Sequence, residues 1–242
     1  MQFKSAGVHA VALTLAGCAV SFIPSTSAYA QNAEMMQKLQ EIKAASAANK
    51  AALAHFTWQE QQVISLKGDV KKTEVYQVGV GPDGQQQKTE LSSSPAPAPP
   101  SGGRFKQRIV AKKTDEFQQY GQQVAALAKQ YTHPDPQLLQ QAYQQGNISL
   151  QMGGAAGTTS LVVKNYLKPG DQMTLVFNSA QKAIVGMNVS SYLNDPSDAV
   201  TMSVQFAMLP SGVNHVASTQ INGVSKQMTV AITNSNYQAT QM

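Results

Sequence analysis

The sequence predicts an α+β fold: a curved antiparallel β-sheet, a half-barrel, packed on a long N-terminal helix and a helical insert. Three observations predict it. Residues 158–234 break into strand-length segments separated by Gly, Pro, Asn and Asp turns, close enough for an antiparallel meander. One of these segments alternates strictly, with Val200, Met202, Val204, Phe206 and Met208 on one side and Thr201, Ser203, Gln205 and Ala207 on the other. That is the period of a sheet with one buried and one wet face. Two stretches, 33–56 and 114–145, carry helical spacing instead.

The helix predicted at 33–56 places Met35, Leu39, Ile42, Ser46, Asn49, Leu53 and Phe56 on one face, and its many alanines supply propensity. Strands are expected at 58–67, 70–80 and 85–91. Lys67-Gly68-Asp69 and Pro82-Asp83-Gly84 are the turns between them, the second with Pro setting φ and Gly taking a positive φ. Residues 92–103, SSSPAPAPPSGG, cannot join a sheet and read as a disordered Pro/Ala/Ser/Gly-rich loop. A strand resumes at 104–111. Thr114 is expected to cap a helix over 114–131 whose apolar face is Phe117, Tyr120, Val124, Leu127 and Tyr131. Asp135 and Pro136 start a second helix that Gly146 ends. Further strands are expected at 158–167, 172–178, 183–192, 199–209, 215–221 and 226–234, for about ten in all.

Residues 1–30 have the pattern of an export signal. Lys4 precedes an apolar run at 8–23, Pro24 breaks it, and Ala28-Tyr29-Ala30 forms a cleavage site. A largely apolar stretch of 16 residues is short for a span, which needs about 20. The expected product is a single domain, 31–242, that is periplasmic or secreted. The alternative is a lipoprotein anchored at Cys18, because Leu15-Ala16-Gly17-Cys18 resembles a lipobox. Cys18 is the only cysteine of the 242-residue chain, so cleavage after Ala30 leaves no disulfide to brace the fold. The formal net charge of +5 falls to +4 when Lys4 is removed. That mild charge in an exported chain argues against nucleic acid as a partner. The cluster Arg104, Lys106, Arg108, Lys112 and Lys113 suits an anionic membrane surface or a solvated strand face.

Each chemical motif fails its context. Gly79-Val80-Gly81-Pro82-Asp83-Gly84 has dinucleotide-site spacing, but no helix follows it to meet a pyrophosphate. Gly153-Gly154-Ala155-Ala156-Gly157 lacks the Lys and Ser/Thr of a phosphate loop. Ser179-Ala180-Gln181-Lys182 matches S-x-x-K, but it falls in a turn and its partner motifs are missing from the sequence. His55, His133 and His215 share no metal spacing, and Asn194, Asp195 and Asp198 lack a calcium-loop pattern. No catalytic residue, cofactor or metal is expected. A one-sided apolar sheet covered by helices leaves room for a cavity lined by Trp58, Ile64, Tyr76, Met173, Phe177, Val204 and Phe206, and the bland alternative is a filled core.

The order of elements resembles the LolA/LolB-like periplasmic lipoprotein-carrier half-barrels. The strings ISLKGDVKKTEVYQVGVGPDGQQQKTEL, NYLKPGD, SSYLNDPSDAV and TVAITNSNY are similar to a family of uncharacterised exported bacterial proteins. The resemblance implies a non-catalytic carrier or binding module for a lipid or a lipoprotein acyl chain held under a curved sheet. It assigns no individual site. The competing expectation is a structural or interaction protein of the cell envelope with a filled core.

Overall fold

A computed structural model describes residues 26–94, 104–132, 135–152, 154–155 and 157–240. The expected export signal lies outside these residues up to position 25, as does most of the Pro-Ala loop. Ser92 and Ser93, expected in that loop, belong to a strand.

Ten antiparallel strands form one open, curved sheet. In chain order they are β1 (Phe56–Leu66), β2 (Asp69–Val80), β3 (Gln86–Ser93), β4 (Ile148–Met152), β5 (Thr158–Lys164), β6 (Gln172–Asn178), β7 (Ala183–Tyr192), β8 (Ala199–Met208), β9 (Asn214–Gly223) and β10 (Met228–Ala239). Their spatial order is β3-β2-β1-β10-β9-β8-β7-β6-β5-β4. The last seven strands pair in sequence, as short turns require, and the N-terminal hairpins are added beyond β10. Register shifts interrupt five of the pairings, at Thr57/Gln59, Ile64/Ser65, Val75/Tyr76, Val176/Phe177 and Gln205/Phe206. Each irregularity bends the strands locally and increases twist.

The pairings align the apolar residues into continuous rows. One row runs Ile148–Val163–Met173–Val189–Met202–Ile221–Val230–Ile64, across eight strands. The next runs Leu150–Leu161–Leu175–Met187–Val204. Both rows belong to the central core cluster.

Three helices accompany the sheet: α1 (Thr26–Leu53), α2 (Arg104–Thr132) and α3 (Pro136–Gln144). Tyr120, Val124, Leu127 and Tyr131 of α2 are buried in the core cluster, so this helix lies across the apolar rows. Asp135 caps α3 by accepting from the Gln137 N–H, and Gly146 follows with φ of 72°, as expected.

Three further expectations are corrected, and one strand is added. Residues 104–111 form the first turns of α2 and not a strand. The physical reason is in the sequence: Ile109 and Phe117 continue the stripe of Tyr120, Val124, Leu127 and Tyr131 in near-helical steps, and Arg, Lys, Gln and Ala are good helix formers. Thr114 is therefore no cap. It is interior, and its hydroxyl donates back to the Val110 carbonyl, 3.0 Å away. Residues 148–152, for which no strand is expected, form β4, an edge strand whose Ile148, Leu150 and Met152 alternate with Ser149 and Gln151 over only five residues. Phe56 opens β1 and is not part of a helix face, because α1 stops at Leu53.

Candidate functional site

The seven residues expected to line a cavity divide into three groups. Met173 and Val204, at 0% and 2% exposure, lie in the central cluster under α2, and Ile64 and Phe206 pack against it half-buried. Trp58 and Phe177 are also buried, but outside that cluster. Tyr76 stands apart among charges. Burial and then Glu74 push its phenol up to about 12. Nearby, buried Glu60 accepts from Lys88 and Gln62, and buried Glu74 pairs with Lys72 at 2.6 Å. The structure thus joins four of the seven around one core and does not join the rest to it.

That core is closely packed. Between α2 and the sheet, Leu127, Ala128, Tyr131, Val189, Ser191, Val200 and Met202 enclose a void of about 10 Å³, barely room for one water. A larger cleft of about 430 Å³ opens between α3 and the β5–β6 loop, where Gln141, Gln145, Asn147 and Asn165 face Leu138 and Pro169. Its amide-rich wall suits polar groups better than an acyl chain.

The feature that sequence reading missed is how α2 is held. Tyr120 and Tyr131 are eleven residues apart, three turns of helix, and so lie on the same apolar face. A buried tyrosine hydroxyl needs a partner. The Tyr131 hydroxyl donates to Asp171 at 2.5 Å and lies 2.8 Å from the Ser191 hydroxyl. The Tyr120 hydroxyl donates to Asp198 at 3.0 Å. Asp171, 1% exposed, also accepts the backbone N–H groups of Tyr166, Leu167 and Lys168 at 2.6–3.1 Å. These two aspartates come from NYLKPGD and SSYLNDPSDAV, so the two strings meet the helix as latches at either end of its buried face. Lys168 ties the same loops together, donating to the Tyr192 and Leu193 carbonyls at 2.7 and 2.9 Å. Desolvation, with Asp171 as hydrogen-bond acceptor, raises Tyr131, and desolvation raises Tyr120, so both stay neutral donors at ordinary pH. Two hydroxyls on an otherwise apolar helical stripe were the available signal.

A second cluster lies at the opposite ends of the strands. Trp58 stacks on Tyr237 with centroids 5.5 Å apart, and the His215 ring is 4.2 Å from Tyr237. Trp58 Nε1, His215 Nδ1 and Asn234 Oδ1 are buried and have no hydrogen-bond partner among the described residues.

The motif residues take turn roles. Asn178 Oδ1 accepts the N–H groups of Ala180 and Gln181, so the S-x-x-K string is a reversal, with Lys182 at φ of 48°. Asp195 accepts the N–H and hydroxyl of Ser197, which hold its carboxyl below the usual range. Among the described residues no group of three or more His, Cys, Asp or Glu is placed to hold a metal. No described helix is long and apolar enough to cross a membrane.

No protein-family model and no curated protein matches the chain. Among solved structures, the chain is similar to the crystal structure of a DUF1329 family protein from Desulfovibrio piger, with 9% identity and a TM-score of 0.40, over 83% of this chain and 92% of that one.

Proposed function

We propose that this protein is an exported, non-catalytic carrier or binding module for a hydrophobic ligand, a lipid or an acylated protein, and that α2 occupies the ligand's place in the closed form. The observation that carries the reading is the face beneath α2. Its rows are apolar across eight strands, and four of its residues are methionines: Met173, Met187, Met202 and Met228, all buried. Unbranched thioethers repack around different shapes more readily than branched aliphatics do. Over the centre of these rows the cover is α2, held by two polar latches beside α3, whose Ala142 and Leu139 also pack on the cluster, so α2 can be exchanged without breaking the sheet. A bound chain would gain about 0.8 kcal/mol per buried CH₂ at best, against which the cost of undocking α2 must be set.

The long N-terminal helix is part of this reading as a second cover. Its buried Ile42 supports that, as does Asn49, whose carboxamide accepts from the Asn214 N–H and donates to its carbonyl, both at 2.7 Å.

One observation favours a second reading, an envelope interaction protein with a permanently filled core: the void under α2 is only about 10 Å³. Mass spectrometry of the protein purified from its native compartment distinguishes them. Co-purifying lipid is expected of the carrier. A lipid-free protein that also takes up no fluorescent fatty acid leaves the filled-core reading.

A further inference from the structure

We propose that residues 104–116, the projecting first half of α2, dock on an anionic lipid bilayer. Every residue from 108 to 116 is exposed, whereas from Tyr120 onward the same helix is buried in the core. The stripe that meets the sheet through Tyr120, Val124, Leu127 and Tyr131 continues backward in helical steps through half-buried Phe117 to Lys113 and Ile109, which are exposed. Ile109 and Val110 are 43% and 37% exposed.

The charge on this segment is one-sided. Arg104, Lys106, Arg108, Lys112 and Lys113 fall within ten residues, and no acid precedes Asp115 in the helix. These cations do not serve the helix itself. Arg104 and Lys106 fall in its first turn, where the macrodipole favours acids, and Lys112 and Lys113 lie two turns in, beyond its reach. Nor do Arg108, Lys112 and Lys113 serve the fold through ion pairs: among the described residues the pairs Lys71–Asp69, Lys72–Glu74 and Lys88–Glu60 lie on β1–β3 and include none of the three. A short basic helix with two bare aliphatics matches an interface of anionic head groups over acyl chains. Long cationic side chains reach the phosphates while their stems and the aliphatics sit deeper. The proposal does not depend on a ligand under α2, although a membrane held by α2 would act on the element that covers the apolar rows.

Vesicle co-sedimentation tests it. The purified protein is expected to bind vesicles of phosphatidylcholine mixed with phosphatidylglycerol, to ignore phosphatidylcholine alone, and to be released by salt. The triple variant R108Q/K112Q/K113Q is expected to lose binding on the order of a hundredfold, about fivefold per charge. K164Q/K182Q/K226Q removes the same charge from exposed positions elsewhere and is expected to bind nearly as well as the wild type. Matching thermal melts establish that both variants fold. Failure of the wild type to bind anionic vesicles overturns the proposal. So does an equal loss in both triple variants, which would reduce the effect to net charge.

Discussion

At Gly223 the backbone passes so close to α2 that a Cβ would sit 2.5 Å from the Tyr120 hydroxyl and 2.7 Å from its ring. Gly223→Ala must therefore push Tyr120 away from Asp198, and we expect a loss of about 2–4 kcal/mol from overpacking together with the broken hydrogen bond. Gly121 is the contrasting case. Its Cβ would meet the end of the Met228 side chain, the methyl at 3.2 Å and the sulfur at 3.9 Å. That end can swing, and Ala gains up to about 1 kcal/mol of helix propensity. Urea unfolding of the two variants should give opposite signs; a neutral Gly223→Ala would contradict the close approach. His215 adds a pH dependence. Burial holds its ring below the ordinary 6.5, against a weaker opposing hydrogen bond with the Ala207 backbone. As pH falls, the unfolded chain binds this proton first, so stability drops from about pH 6.5 down to the lower folded value. Replacing His215 with Gln should remove that part of the drop, and identical profiles for the two proteins would refute the assignment. None of this was legible from residue identity alone: Gly223 read as a turn, and His215 as one strand residue among several.

Among the elements, α2 is where sequence and structure differ most. Thr114 followed by two acids looks like a helix start, and the Pro-Ala stretch before Arg104 suggested that a strand must resume after it. The helix instead begins at Arg104, because the apolar stripe of its buried half extends backward through Ile109 and good helix formers fill the rest. The capping signal was local, and the longer periodicity overrode it. Thr114→Ala distinguishes the two arrangements. A lost cap would cost about 1 kcal/mol. An exposed interior Thr that bonds back to Val110 should, when replaced, be neutral or stabilising by about 0.5 kcal/mol. β4 is hard to read for the opposite reason: Ile148, Leu150 and Met152 do alternate with Ser149 and Gln151, but five residues of which only Ile148 is buried make a weak local signal. The strands of the meander were legible because β8 and its neighbours have one buried face and turn residues at each end. Even there the limit was visible, since Met208 continues the apolar period yet is exposed at the strand's end.

In the whole molecule, the run β4 to β10 follows from short connections, whereas the closure of β1 on β10 joins segments about 170 residues apart and leaves no local trace. The last step of the row that starts at Ile148, from Val230 to Ile64, exists only because of that pairing. Trp58 and Tyr76, expected to share a cavity with the core residues, lie on the hairpin beyond that pairing and outside the core cluster. Tyr76 was placed by its alternation on the apolar side, but on that part of the sheet Glu60 and Glu74 are its neighbours. The central claim is that α2 is an exchangeable cover over a surface made for a hydrophobic chain. Loosening its latches while leaving the sheet intact tests that claim most directly. In Tyr120→Phe/Tyr131→Phe, each aspartate loses one hydroxyl donor, about 1.5–3 kcal/mol per site for a charged acceptor, and Asp171 keeps its three backbone N–H partners. The measurement is uptake of a fluorescent fatty acid by wild type and variant, compared at equal folded fraction. Tighter uptake by the variant is the predicted result; equal uptake by the two proteins, or none by either, would contradict the claim.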